Sequence, residues 1–118
     1  MNWIPLNDKN QISEIKNHVN PSIIFKHSTR CNISAFALKM FERSWEDKMD
    51  IKCYFLDILN HRELSNFIAE EFKVHHESPQ LILINQGECI LDASHGDISA
   101  TEVMEVLSYN FKSSNTSL

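Results

Sequence analysis

The sequence has no apolar run that approaches the roughly 20 residues needed to cross a lipid bilayer, so we expect no membrane association. Its first residues also lack the basic start and apolar stretch of a signal peptide, which predicts a cytoplasmic protein. Positive charge is the minority, because 11 Lys and Arg residues face 16 Asp and Glu residues, for a formal net charge of −5. Non-specific nucleic-acid binding needs a basic surface to displace counterions from phosphates. We therefore expect neither a membrane nor a nucleic acid as a partner.

The sequence also lacks internal repeats, low-complexity tracts and linkers, and its 118 residues are too few for two ordinary domains. Its hydrophobic content of 42% is what a folded globular chain needs. We therefore predict a single domain over residues 1–112. Residues 113–118 are polar and are predicted to form a frayed tail.

Cysteine is sparse, and the odd number of three argues against a disulfide scaffold. In a reducing cytoplasm a cysteine is either a buried apolar residue or a reactive thiol. Cys53 lies in an apolar segment and Cys89 in a predicted hairpin, so both are predicted to be structural. Whether either one comes close enough to Cys31 to form a disulfide stays open. Because the Cys-x-x-Cys and His-x-x-x-His spacings are absent, we predict no metal site.

Short apolar segments predict five strands, and the one at 22–27 is also β-branched. They lie at Trp3-Ile4, 22–27, 51–57, 80–85 and 88–93. The last two flank a turn at Gln86-Gly87, which predicts an antiparallel hairpin.

Helical periodicity fills the segments between the strands. The apolar positions of the four predicted helices are Ile12, Ile15 and Val19; Ile33, Phe36, Ala37, Met40 and Phe41; Leu64, Phe67, Ile68 and Phe72; and Val103, Val106, Leu107 and Phe111. Ser99 and Glu102 have the spacing of a capping box. The order β-α-β-α-β-α-β-β-α predicts an α/β fold, with parallel strands where helices intervene and an antiparallel edge from the hairpin. Because the strands are apolar on both sides, we predict a central mixed β-sheet flanked by helices on both faces.

Cys31 lies where a predicted strand ends and a predicted helix begins. A cysteine at a helix N-terminus meets unpaired N–H groups and the positive end of the helix dipole, which favour the nucleophilic thiolate. Arg30 adds positive charge beside it. His27 either stabilises the thiolate or is a solvated residue at a strand end. Inert packing is the alternative role for Cys31 itself.

Ser34 occupies the place of the second thiol in a Cys-x-x-Cys pair. Its hydroxyl can donate a hydrogen bond to the Cys31 sulfur but cannot form a disulfide, which limits the chemistry to exchange with an external thiol. Local hydrogen bonding at a helix start is the alternative role for Ser34. Ser78-Pro79 immediately precedes a predicted strand, where a cis proline would hold backbone groups out for an extended substrate.

The segment Lys26-His27-Ser28-Thr29-Arg30-Cys31, followed by Asn32-Ile33-Ser34, closely resembles the monothiol bacilliredoxins of the thioredoxin superfamily. The resemblance covers nearly the whole chain and implies a thioredoxin-like fold. It implies that Cys31 is the catalytic nucleophile and that Ser78 and Pro79 form a cis-proline loop that binds substrate. The residues that it implies around the nucleophile are Thr29, Arg30, Asn32 and Ser34.

The resemblance also implies a substrate. Such proteins are associated with bacillithiol, the low-molecular-weight thiol that replaces glutathione in many low-GC Gram-positive bacteria. The implied activity is removal of bacillithiol from protein mixed disulfides. The implied partners are bacillithiolated proteins together with bacillithiol, as co-substrate, or a reductase, and no tightly bound cofactor is expected. The alternative is a non-catalytic module that senses redox state or binds an iron–sulfur cluster through Cys31 and a small thiol.

Overall fold

The computed structural model describes residues 1–47 and 50–116. Its five strands are β1 (Trp3–Pro5), β2 (Ser22–His27), β3 (Lys52–Asp57), β4 (Gln80–Asn85) and β5 (Glu88–Ser94). Its α-helices are α1 (Lys9–Asn17), α2 (Asn32–Ser44), α3 (Arg62–Glu71) and α4 (Ala100–Thr116), and a short 3-10 turn covers His95–Asp97. The predicted order of strands and helices is confirmed.

The strands form one mixed sheet in the order β1-β3-β2-β4-β5. The first three strands of the chain are parallel, whereas β4 is antiparallel to β2 and β5 is antiparallel to β4. The expectation that strands separated by a helix run parallel is therefore wrong at β4. The reason is that the segment 72–79 returns the chain to the end of the sheet where β3 finishes. His27 pairs there with Asp57, and Lys26 pairs with Gln80.

The predicted hairpin joins β4 to β5 through Gln86 and Gly87. Both residues have positive φ, 52° and 82°. A two-residue turn with positive φ at both positions matches the right-handed twist of paired strands. A Cβ added to Gly87 would lie 3.3 Å from the carbonyl oxygen of Lys16, so both backbone conformation and space favour glycine.

Two apolar layers enclose the sheet. One layer packs α1 and α3 onto one face, with a core formed mainly by Ile12, Ile15, Ile24, Leu56, Ile68 and Ile82. The other layer packs α2 and α4 onto the opposite face, with a core formed mainly by Ile23, Phe25, Phe41, Leu83, Val103 and Leu107. The predicted arrangement of helices on both faces is confirmed.

The buried face of α2 differs from the predicted one. Ile33 and Phe36 are 70% and 66% exposed, and Met40 is 44% exposed. Of the predicted apolar positions, Phe41 is buried and Ala37 packs against the core, and Ser34, which was not among them, is buried as well. Because apolar residues recur on two faces of this helix, periodicity alone does not identify the face that meets the sheet.

The end of the first helix also differs from the prediction. The first helix ends at Asn17, since His18 takes an extended backbone with ψ 138° just before the Asn20-Pro21 step, and Val19 is left exposed. At the other end of the chain, α4 runs to Thr116 with neither Gly nor Pro to interrupt it, and the frayed tail from residue 113 stays a prediction. Residues 117 and 118 of the predicted tail lie outside the described residues. At the start of α4, the Glu102 N–H donates to Ser99 Oγ at 3.2 Å, which is one of the two hydrogen bonds of the predicted capping box.

Candidate active site

A tight turn connects β2 to α2 and presents Cys31. The Cys31 N–H donates to the carbonyl oxygen of Ser28 at 3.1 Å, which closes the turn with Thr29 and Arg30 exposed at its centre. Asn32, the first residue of α2, is also exposed. The predicted neighbours Thr29, Arg30 and Asn32 therefore border Cys31 on its solvent side.

Cys31 is the N-cap residue of α2. Its backbone is extended, with φ −106° and ψ 120°, and its carbonyl oxygen accepts from the Ala35 N–H at 3.0 Å. Its side chain makes no capping hydrogen bond and is half-buried. The sulfur thus lies against the positive end of the helix dipole and remains open to an incoming disulfide.

Ser34 makes different contacts from those predicted. Its side chain is fully buried, and its hydroxyl lies 2.6 Å from Nδ1 of His27. The same oxygen accepts a hydrogen bond from the Ser28 N–H at 3.1 Å. The predicted donation to the Cys31 sulfur is therefore wrong in this state, because the hydroxyl is directed toward the strand end instead.

His27 is buried, with 5% of its surface exposed, so the interpretation as a solvated residue is wrong. Its ring packs on Phe55 with the centroids 5.3 Å apart. Burial lowers the pKa of His27, while the nearby carboxylate of Asp57 and the contact with Ser34 oppose that change. The imidazole is consequently neutral at neutral pH.

The Ser78–Pro79 peptide bond is cis, as the family resemblance implies. Because Gln80 pairs with Lys26, Pro79 lies at the same end of the sheet as His27 and the turn that leads to Cys31. The Pro79 carbonyl oxygen accepts from the N–H of His95 at 3.0 Å, and His95 has a positive φ of 54°. The His95 ring in turn lies 3.1 Å from the Glu77 carboxylate.

A buried lysine, whose role the sequence did not indicate, lies next to the Ser78–Pro79 loop, because Lys26 pairs with Gln80. Lys26 is fully buried, and its Nζ donates to the carbonyl oxygen of Ser65 at 3.1 Å and lies 3.2 Å from Nδ1 of His76. Burial lowers the pKa of Lys26 to about 8. The one sequence feature that could have indicated this contact is the presence of a charged residue inside the apolar segment Ser22–His27.

An exposed apolar surface adjoins the start of α2. A cleft of about 240 Å³ lies between this helix and the turn after β5. Its lining includes Ile33, Phe36, Met40, His95, Gly96 and Ile98. Since Ile33 is two residues from Cys31 and His95 bonds to Pro79, the cleft lies beside the cysteine and the proline loop.

The other two cysteines lie at the far end of the sheet. Cys53 pairs with Ile23 and Cys89 pairs with Ile84, so roughly 13 Å of strand separates Cys53 from the site. A disulfide needs Cα atoms within about 7 Å, so neither reaches Cys31. Burial raises the pKa of Cys53 to about 12 and also raises that of Cys89. Both are free thiols, and their predicted structural role agrees with these positions.

No group of three or more His, Cys, Asp or Glu residues within 1–47 and 50–116 is arranged to hold a metal ion. In the same part of the chain, every helix is too short or too polar to cross a membrane.

Comparison with solved structures places this architecture among the thioredoxin folds. A structure described as a candidate oxidoreductase with a thioredoxin fold is 31% identical, covers 88% of this chain and 92% of its own, and has a TM-score of 0.78. A thioredoxin of Schistosoma mansoni is 19% identical, with coverage of 91% and 94% and a TM-score of 0.67. A thioredoxin of Malassezia sympodialis is 11% identical, with coverage of 92% and 90% and a TM-score of 0.68.

Fold and site together define a thiol oxidoreductase of the thioredoxin type with one active cysteine. The family model described as monothiol bacilliredoxin BrxC matches residues 4–103. The chain therefore belongs to the monothiol bacilliredoxin BrxC family, as the motif around Cys31 predicts.

Proposed function

We propose that this chain removes bacillithiol from protein mixed disulfides and that Cys31 carries the bacillithiol adduct. The observation that supports the proposal best is the pairing of an accessible cysteine at a helix N-terminus with a buried serine three residues later. A site built this way exchanges thiols but cannot close an internal disulfide with Ser34. Membership in the bacilliredoxin family favours bacillithiol as the exchanged thiol.

In the first step, the Cys31 thiolate attacks the bacillithiol sulfur of a protein–bacillithiol disulfide. The bond between bacillithiol and the substrate cysteine breaks, and a bond between Cys31 and bacillithiol forms. The substrate cysteine leaves as a thiolate and takes a proton from water. The half-buried Cys31 side chain makes no capping hydrogen bond, so no such bond has to break before the sulfur attacks.

In the second step, an external thiol restores Cys31. A second bacillithiol, as its thiolate, attacks the bacillithiol sulfur of the adduct, which releases bacillithiol disulfide and the free Cys31 thiolate. A reductase that supplies a thiol would serve equally. Cys53 and Cys89 take no part, since they lie beyond disulfide reach and burial raises the pKa of both.

We further propose the cytoplasm as the compartment, because this cycle requires a reducing thiol pool. The cycle needs no tightly bound cofactor, as bacillithiol enters and leaves as a substrate. The exposed cleft beside Cys31 would receive apolar side chains of the substrate protein, while the loop at Ser78 and Pro79 would border its backbone.

The test follows the release of bacillithiol from a purified bacillithiolated protein, with bacillithiol as the reductant. We expect Cys31→Ser to leave only the uncatalysed rate and to keep the native fold by circular dichroism. The matched control is the Cys53→Ala/Cys89→Ser double variant, which should retain the full rate. A Cys31→Ser variant with wild-type activity would contradict the proposal.

The alternative, an iron–sulfur or sensor module, makes a different prediction. If Cys31 held an iron–sulfur cluster, protein purified under anaerobic conditions would be coloured, and Cys31→Ser would remove the colour. The proposed enzyme is expected to be colourless and to gain the mass of one bacillithiol when mixed with its substrate.

A further inference from the structure

A chain of hydrogen bonds runs from the interior to the backbone of Cys31. Nδ1 of His27 lies 2.6 Å from Ser34 Oγ, and Ser34 Oγ accepts from the Ser28 N–H at 3.1 Å. The carbonyl oxygen of Ser28 then accepts from the Cys31 N–H at 3.1 Å. Since both His27 and Ser34 are buried, water does not compete for the bond between these two side chains.

The hydrogens of this chain can be counted. A serine hydroxyl has one hydrogen to donate and can accept two. With neutral His27 protonated on Nε2, Ser34 donates its hydrogen to Nδ1 while it accepts from Ser28. When the imidazole gains a proton, Nδ1–H must donate to Ser34 Oγ, and the serine hydrogen has to turn elsewhere.

The serine hydrogen can turn toward the active site. Cys31 is the N-cap residue of α2, and Ser34 is the third residue of that helix. Cys31 and Ser34 are therefore one helical turn apart, and the Cys31 side chain makes no capping hydrogen bond that would have to break before the sulfur accepts one from Ser34.

We propose that His27 is a positioning residue for the Cys31 reaction. Neutral His27 holds the Ser34 hydroxyl and the turn at Ser28. When His27 becomes an imidazolium, the serine hydrogen turns toward the Cys31 sulfur. The inference rests on the proposed function only in taking Cys31 as the reacting group. Two charged forms then support each other, because protonated His27 and the Cys31 thiolate are each favoured by the other. By linkage, this coupling is reciprocal.

The groups around His27 determine the pH range in which the coupling is seen. Asp57 on β3 is in register with His27, and its carboxylate raises the pKa of the imidazole. From α2, Ser34 faces the imidazole. Phe55 covers the ring and does not titrate. Because burial outweighs Asp57, the pKa of His27 lies below its ordinary 6.5, so the coupling should be seen on the acid side of neutrality.

The experiment measures the alkylation rate of Cys31 by iodoacetamide from pH 4.5 to 9, read on the Cys31 peptide by mass spectrometry. No bacillithiol is involved, so failure of the proposed substrate leaves this test intact. We expect the wild-type rate on the acid side to exceed the extrapolation of a single ionisation by about fivefold. An amide in His27→Asn can still bond to Ser34 but does not titrate, so that variant should follow a single ionisation.

Two further variants keep the test decisive. Ser34→Ala keeps His27 but removes the hydroxyl between His27 and Cys31, so its alkylation profile should also lose the acid-side excess. This variant decides the test even if His27→Asn fails to fold. Asp57→Asn removes the carboxylate that raises the pKa of His27, so the excess should appear at lower pH. Superimposable profiles for the wild type and Ser34→Ala would overturn the proposal and leave His27 with a purely structural role.

Discussion

The hydroxyl of Ser34 lies 2.6 Å from Nδ1 of His27, in the place where a second thiol would stand in a dithiol site. This position is one helical turn from Cys31 and therefore within disulfide geometry. We predict that Ser34→Cys forms a disulfide between the introduced thiol and Cys31 on mild oxidation. Intact mass spectrometry should show the loss of two hydrogens, and the Cys31→Ser/Ser34→Cys double variant should show none. Failure to form that bond would mean that the first turn of α2 is not arranged as described.

The remote cysteines give a second prediction. Cys53→Ala should lower the free energy of unfolding by about 1 kcal/mol through lost packing, and Cys89→Ser by less. Neither change should affect thiol exchange, because the two sulfurs lie at the end of the sheet opposite Cys31. Urea denaturation and the activity assay measure the two effects separately. A disulfide from either residue to Cys31 in oxidised wild-type protein would contradict this account.

Lys26 gives a prediction about pH. Its pKa falls from an ordinary 10.5 to about 8 on folding, so the unfolded chain binds more protons between those two values. The stability of the wild type should therefore rise with pH across this window, and the penalty for burying the charge should be complete below pH 8.

We accordingly expect the free energy of unfolding of Lys26→Met, relative to the wild type, to be highest near pH 7. By pH 10.5 this difference should have fallen by on the order of 3 kcal/mol, because the wild type no longer buries a charge. Urea denaturation at a series of pH values measures this difference. Lys39→Met, which makes the same change at an exposed lysine of α2, is the matched control. A pH-independent difference for Lys26→Met would show that the amine is not buried when charged.

The exposed cleft gives a prediction about substrate size. Phe36 is 66% exposed beside Cys31, so Phe36→Ser should leave the fold intact while it removes apolar contact with a protein substrate. We expect KM for a bacillithiolated protein to rise by about five- to tenfold, which corresponds to roughly 1 kcal/mol of lost contact. The rate with a small disulfide should stay unchanged. Val19→Ser, an exposed apolar residue at the other end of the sheet, is the control and should affect neither value.

The sequence was sufficient for much of the fold, for particular reasons. The segment at Ser22–His27 is short and β-branched, and Gln86-Gly87 is a strong turn signal, so local preference and tertiary structure agree there. The buried face of α2 was not predictable, because apolar residues stand on both sides of that helix. The direction of β4 was not predictable either, since it depends on how the segment before it returns along the sheet.

At the site, the sequence indicated which residues matter but not all of their contacts. Cys31, Ser34 and Pro79 stand out by position and by motif. The burial of His27 and Lys26 depends on packing from β3, α2 and α3, elements far away in the sequence, so no local pattern reveals it. The direction of the Ser34 hydroxyl follows from that burial, which explains why the predicted bond to the Cys31 sulfur was wrong.

The central claim is that Cys31 attacks the bacillithiol sulfur and keeps the adduct. The most direct measurement mixes the reduced protein with an equal amount of a bacillithiolated protein, quenches the mixture with acid, and records intact and peptide masses. The account predicts one added bacillithiol on the Cys31 peptide and an equal amount of released substrate thiol. A disulfide between Cys31 and the substrate protein, or no transfer at all, would contradict it.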